Sequence, residues 1–328
     1  MSYTTFDEDA SLQIDSALLI HQKYLSAQQA AVKLGYQLSW VECPDGVRLK
    51  KTDSDTGKEM ADLGPRSDKL VAWYESQLQA RDMGFATFEA SKKELDKAQK
   101  LNRATGVGRV PAVVIDILQV IWAQGLMDYY RVVGTHALYA YEVAAKITFD
   151  APTMATNDVD LLWDVQKKIK FFEVMKKSGR SMLDVLQLAD PSFERNEDEK
   201  QSAINAQGFS VDFLRRPEPE KLSEAFTISG KDGDVLPVQA RNSQELLNSP
   251  PFEQVIVGLD GRMTVMRTID PGTFVDFKLW MCTQQDRDPQ KRNRDRMQAL
   301  AVNALLAEGR LTSHGIQRKS LPRESSYE

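Results

Sequence analysis

The sequence predicts a mixed α/β fold, with a sheet of parallel and antiparallel strands and helices packed against it. Three observations lead there. Strand-like and helix-like runs alternate after about residue 109, which is the pattern of crossover connections. Two tight turns, Pro44-Asp45-Gly46 and Asp260-Gly261, separate short apolar runs and read as β-hairpins, which argue against a fully parallel sheet. The chain has 328 residues, 42% apolar and 27% charged, enough apolar side chain for a core in about two domains.

Each element has a local reason. Residues 11–34 read as a helix, because Leu12, Ile14, Ala17, Leu18, Tyr24, Leu25, Ala27, Ala31 and Leu34 recur at roughly helical spacing and Gly35 stops it. The first hairpin pairs 36–42 with 47–51. Residues 63–67 read as a loop, ending on Ser67 as the cap of a helix over 68–103 that Gly84 interrupts. The lysine-rich stretch 91–103 reads as a solvated face, and Thr105-Gly106-Val107-Gly108 as a linker. Pro111 then opens an apolar helix over 113–124 that Gly125 ends. A strand at 129–133 turns through Gly134-Thr135 into a helix over 135–146. Residues 147–156 read as a loop, 158–164 as an apolar strand and 165–177 as a helix. Residues 190–200 are polar and acidic, a surface excursion. A strand over 208–214 is closed by Pro217–Pro219. The second hairpin pairs 255–259 with 262–268, helices over 272–284 and 289–308 follow, and the tail from Leu311 reads as frayed.

Composition narrows the function classes. Net charge is −5, which does not suit a chain that coats nucleic acid through bulk positive charge. No apolar run reaches the ~18 residues of a membrane span; the best, 110–123, carries Asp116 and Gln119. The N-terminus lacks the basic-then-apolar order of a secretion signal. Cys43 and Cys282 make neither a disulfide framework nor a zinc site, so a reduced, cytoplasmic compartment is the expectation. No membrane partner is expected, and the oligomeric state is open.

The chemistry-bearing residues are carboxylates on strands. Residues i and i+2 of a strand share a face, so Asp158 and Asp160 present two carboxylates side by side. Their repulsion calls for a compensating charge, and a hard divalent cation is the simplest one. In 208–214, Phe209, Val211 and Phe213 form one face and Asp212 sits on the other. If this strand pairs with the Asp158 strand, three carboxylates converge, as a site for two Mg²⁺ ions and a nucleoside triphosphate requires. Upstream, Gly134-Thr135 at a strand-to-helix turn suits phosphate, because free N–H groups point outward and glycine admits close approach.

The order strand–Gly134–Thr135–helix, then Asp158-Val159-Asp160, then the lone Asp212 resembles the nucleotidyltransferase superfamily typified by DNA polymerase beta. Within it the chain is similar to a bacterial nucleotidyltransferase-like family through residues 134–142, 156–162 and 209–214. Further similarity lies in Leu49-Lys50-Lys51, residues 63–67, Phe277-Lys278-Leu279-Trp280 and Lys291-Arg292-Asn293-Arg294-Asp295. It spans about 49–306. The superfamily commonly has Ser where Thr135 stands, and the interval from Gly134 to Asp158 is longer than usual.

The resemblance implies roles. Asp158, Asp160 and Asp212 would be the metal ligands and catalytic carboxylates, with Mg²⁺ or Mn²⁺ as cofactor and an NTP such as ATP as substrate. Gly134, Thr135 and Lys278 would bind the triphosphate. The acceptor would be a hydroxyl on RNA, protein or a small molecule, and a toxin or effector role belongs to related folds. It also implies a division into an N-terminal helical region with a β-hairpin (1–108), a nucleotidyltransferase core (109–240), a hairpin with C-terminal helices completing it (241–310) and a flexible tail (311–328). Two other readings stand beside it: a non-catalytic nucleotide-binding module on the same fold, and a metal-dependent nucleotide-sugar glycosyltransferase. Among the remaining residues, His136 reads as packing, Glu142 as packing or as a member of the site, Arg215-Arg216 as a polar strand exit with phosphate contact as the alternative, and the basic run 287–296 as a solvated helix face with contact to a polynucleotide or triphosphate as the alternative.

Overall fold

The computed structural model describes residues 3–154, 156–217 and 227–314. It divides into two compact units, Leu12–Gly106 and Met1–Ser11 with Val107–Glu328.

The chain begins with β1 (Tyr3–Thr5) and α1 (Glu8–Lys33), followed by β2 (Tyr36–Cys43), β3 (Gly46–Asp53), β4 (Glu59–Pro65) and α2 (Asp68–Thr105). β2 and β3 form the hairpin expected from Pro44-Asp45-Gly46. β4 corrects the loop reading: the chain pairs a third antiparallel strand on β3 through two register shifts. Its Gly64, at φ 113°, and Pro65 disguise that strand in sequence. Ser67 does cap α2, its hydroxyl accepting from the Leu70 N–H at 3.3 Å. Gly84 does not interrupt α2. It is a packing position, where a Cβ would press on the Leu34 side chain. α1 buries Ile14, Ala17, His21 and Ala31, and α2 buries Ser91, Leu95, Ala98 and Asn102. The steps are three, four and ten residues in α1 and three or four in α2, close to whole helical turns, as one face of a helix requires.

The larger unit holds α3 (Ala112–Ala123), β5 (Tyr130–Val133), α4 (Ala137–Ala145), β6 (Ile147–Phe149), α5 (Ala151–Met154), β7 (Asp158–Trp163), α6 (Lys168–Ser178) and α7 (Met182–Ala189). It continues with β8 (Glu194–Arg195), β9 (Ser202–Ile204), β10 (Ser210–Arg215), β11 (Val238–Gln239), α8 (Ser243–Asn248), β12 (Pro251–Val257), β13 (Met263–Ile269), α9 (Pro271–Cys282) and α10 (Pro289–Ala307). The main sheet runs β12-β13-β5-β7-β10-β9-β8, with β11 also on β10. β13–β5, β7–β10 and β10–β11 are parallel and the other pairs antiparallel, so the sheet is mixed. β1 pairs with β6 apart from it.

The expected loop at 147–156 thus contains β6 and α5, too short to leave a periodic signal. The excursion at 190–200 contains β8 and the buried Phe193. β9, β11, α7 and α8 had no counterpart in the sequence reading. Gly108 is more than linker, since a Cβ there would land on the Gly258 carbonyl. The tail is held at least to residue 314: Leu311 is buried, and Asp270 accepts from the Ser313 hydroxyl at 2.6 Å and the His314 N–H at 2.7 Å. The readings of Pro219 and of residues 315–328 lie outside the described residues.

Apolar side chains cover both faces of the main sheet. One face buries Val159, Leu161, Val211 and Phe213 among residues of α3, α6 and α7. The other buries Val133 and Leu162 among residues of α4, α9 and α10. Asp158, Asp160 and Asp212 stand on this second side of β7 and β10, beside the end of β5.

Two buried histidines each favour the folded state at neutral pH over acid. Burial lowers His21 in the smaller unit and His136 in the larger to about 4. Each contributes stability that is full above the ordinary value near 6.5 and is lost as pH falls toward 4, because only the unfolded chain takes the proton easily. Between pH 7 and 5 each accounts for about 2 kcal/mol. In urea unfolding, His21→Leu should gain about 2 kcal/mol relative to the wild type between pH 7 and pH 5, a difference that isolates the imidazole from Asp160 and Glu142, whose burial-raised carboxyls change stability in the opposite direction.

Candidate active site

Strand register assembles the acids. β7 places Asp158 and Asp160 on one face, and the parallel pairing of β10 sets Asp212 opposite Asp160 and Ser210 opposite Asp158. One carboxylate oxygen from each of Asp158, Asp160 and Asp212 lies within 4.8 Å of the others. On the far side, antiparallel β5 sets Val133 opposite Asp160, so the turn beginning at Gly134 abuts the Asp160 carboxylate. Gly134 has φ 69°, and a Cβ there would overlap an Asp160 oxygen. Glycine is therefore required twice, for backbone conformation and for space. Thr135 follows in the short turn that leads into α4. Its buried hydroxyl accepts from Gln298 Nε2 at 3.1 Å, and the same amide donates to the Thr153 carbonyl at 2.8 Å.

The acids are electrostatically strained. Asp160 is pushed up to about 7, first by burial and then by the charges of Asp158 and Asp212. Asp212 is raised too, first by burial, although the Ser202 hydroxyl donates to it and lowers it. The Thr156 hydroxyl donates to Asp158. Three all-oxygen groups at this separation, two of them held away from their ordinary ionisation, are a donor set that a hard divalent cation fits.

Across the cavity stand cations. Lys278 on α9 is 4% exposed, not a surface lysine, and burial lowers its pKa. Its Nζ donates to Asp295 Oδ1 at 2.8 Å, while Arg287 Nε donates to Asp295 Oδ2. Asp295, fully buried on α10, thus holds two cations that face the acids; both Lys278 and Arg287 lower Asp160. Arg287, Lys291 and Arg294 all line the cavity, which corrects the reading of the basic run as wholly solvated. Lys291 acts on Asp212, lowering it.

These groups enclose a cavity of about 440 Å³. Gly134, Thr135, Lys278 and all three aspartates line it, so the structure brings every sequence-selected residue to one place. Sequence reasoning gave no role to Asp295 or Thr156, which stood only within the similar stretches, and missed Ser202 and Gln298. The spacing of Lys291 and Arg294 on α10, with Arg287 in the turn just before the helix, was the signal available for the basic wall.

Other candidates are structural. Glu142 is buried beneath the fold, where its Oε1 accepts from Arg109 and from the Phe149 N–H, each at 2.7 Å, and burial pushes it up to about 7. His136 is sealed against Tyr139 and Phe209. Arg215 is buried and its Nε donates to the Pro237 carbonyl at 3.1 Å.

Residues 112–318, more than half of the chain, match the model of a family described as Nucleotidyltransferase. Neither a curated protein nor a solved structure matches the chain.

Two stability measurements probe the site without turnover. Asp160 has a folded pKa above its unfolded value, so its ionisation opposes folding as pH rises toward and through 7. In chelator, Asp160→Asn should raise Tm, more at pH 8 than at pH 5. Asp295→Ala should cost about 3–5 kcal/mol by stranding two cations, more than Lys278→Met, which leaves Arg287 on the carboxylate. Chemical denaturation distinguishes these outcomes.

Proposed function

We propose that this chain, which belongs to the nucleotidyltransferase family, uses the cavity to transfer a nucleoside monophosphate from an NTP to a hydroxyl acceptor. The observation that carries this reading is the convergence of Asp158, Asp160 and Asp212 beside Gly134, opposite a wall of cations. One wall suits divalent cations and the other suits phosphate, and a metal-bound triphosphate is the ligand that needs both.

Asp158, Asp160 and Asp212 would hold Mg²⁺ or Mn²⁺. When bound, such ions supply positive charge to the triphosphate and to an acceptor oxygen losing its proton. The remaining work falls to the chain. The backbone N–H groups around Gly134 and Thr135 receive terminal phosphate oxygens, and Gln298 fixes the Thr135 hydroxyl for the same purpose. Lys278 and Arg287, preset on Asp295, add charge without having to be ordered when the ligand arrives. The acceptor oxygen bonds to the α-phosphorus, the bond to the bridging oxygen breaks and pyrophosphate leaves. Asp212, whose carboxyl pKa is raised by burial, takes the acceptor proton. Catalysis is then mainly positioning and charge stabilisation.

The acceptor class is a hydroxyl on RNA, protein or a small molecule. Incubation with each α-labelled NTP, total cellular RNA and total protein should label one fraction and release pyrophosphate. Asp158→Asn, Asp160→Asn and Asp212→Asn should each lower that rate by about 10³-fold or more. Mg²⁺ with the preferred NTP should raise the wild-type Tm, and Asp160→Asn should abolish the rise. Absence of any Tm shift with any common NTP overturns the reading.

A further inference from the structure

The cavity has a third kind of wall that neither metal nor phosphate explains. Phe277, Trp280 and Met281 line it from successive turns of α9, with Leu162, Leu214 and Leu246 across from them in the sheet and α8. Phe277 and Trp280 are half-buried, their rings stacked at a centroid separation of 6.1 Å and an interplanar angle of 28°. Half-buried rings lining this cavity leave apolar surface in water, which is unfavourable until something flat covers it.

We propose that Phe277 and Trp280 are the stacking shelf for the nucleobase of the incoming NTP, which makes Trp280 a determinant of nucleotide affinity. This rests on the nucleotidyl-transfer reading and adds to it the place of the base. Three features favour the base of the NTP over a base of the acceptor. The shelf belongs to the same cavity as the acids and cations. Lys278, next to Phe277 in sequence, carries the phosphate-facing charge of the same helix. The volume of about 440 Å³ lies in the range that holds one small ligand. A π-face is common to all bases, so the shelf supplies affinity more than choice among them.

The test compares binding of α,β-methylene-ATP, inorganic tripolyphosphate and a short RNA oligonucleotide to the full chain in Mg²⁺ by calorimetry. The wild type should bind the nucleotide about tenfold or more tighter than tripolyphosphate. Trp280→Ala should bring that ratio near one while tripolyphosphate affinity is retained, which also shows that the variant is folded. Trp280→Phe should keep most of the ratio, and Phe277→Ala should lower it.

A wild-type ratio near one, or an unchanged ratio in Trp280→Ala, overturns the shelf but leaves the transferase reading standing. So does a Trp280→Ala protein weakened only toward the oligonucleotide, which assigns the rings to the acceptor. Failure of both phosphate ligands to bind in Mg²⁺ overturns both readings together.

Discussion

Three carboxylates in one place repel one another, and the larger unit is organised around holding them there. Asp158 and Asp160 share a face because a strand alternates, and Asp212 joins them because β10 runs parallel to β7 in the register that sets it opposite Asp160. Such a cluster opposes folding unless counter-charge is near. Lys278 and Arg287 supply part of it, and Asp295 holds them in place. The arrangement is an ordered alternation of charge: acids on the sheet, cations facing them, and one buried acid behind the cations.

Burial gives this alternation its strength and its cost. A charge in a dry setting interacts far more strongly than one in water, but it must be paired. The fold meets that condition locally. Thr156 and Ser202 donate to the acids, Gln298 restrains Thr135, and the Asp295 carboxylate uses one oxygen for each cation. Elsewhere buried polar groups serve rigidity. Arg131 donates to the carbonyls of Leu246, Leu247 and Ser249, fixing the end of α8, and Asp270 caps α9 while binding the chain at Ser313 and His314. These locks hold the two helices that carry the cavity wall, α9 directly and α10 through its packing on α9.

The same geometry explains why α9 contributes two chemistries. Adjacent positions on a helix point about 100° apart. Lys278 therefore turns inward to Asp295, while Phe277 and Trp280 turn along the cavity. A helix with a cation on one side and rings on the next can meet a ligand that is charged at one end and flat at the other.

Much of this was legible from sequence because it is local. Helical spacing marked α1, the Ser67 cap and Pro111 marked the starts of α2 and α3, turn chemistry marked both hairpins, and strand alternation put Asp158 with Asp160 and set Asp212 opposite its apolar neighbours. Elements of two to four residues, such as β6, β8, β9, β11 and α5, are too short for a period to emerge, and β4 was masked by Gly64 and Pro65. What only tertiary structure decided were relations between distant segments: the register joining β7 to β10, the buried Lys278–Asp295 pair with Arg287 upon it, and the change of the basic run at α10 from solvated face to cavity wall. Local propensity fixes which way a side chain turns relative to its own backbone. Which side chain it meets depends on long-range packing, and that is set by the whole core at once.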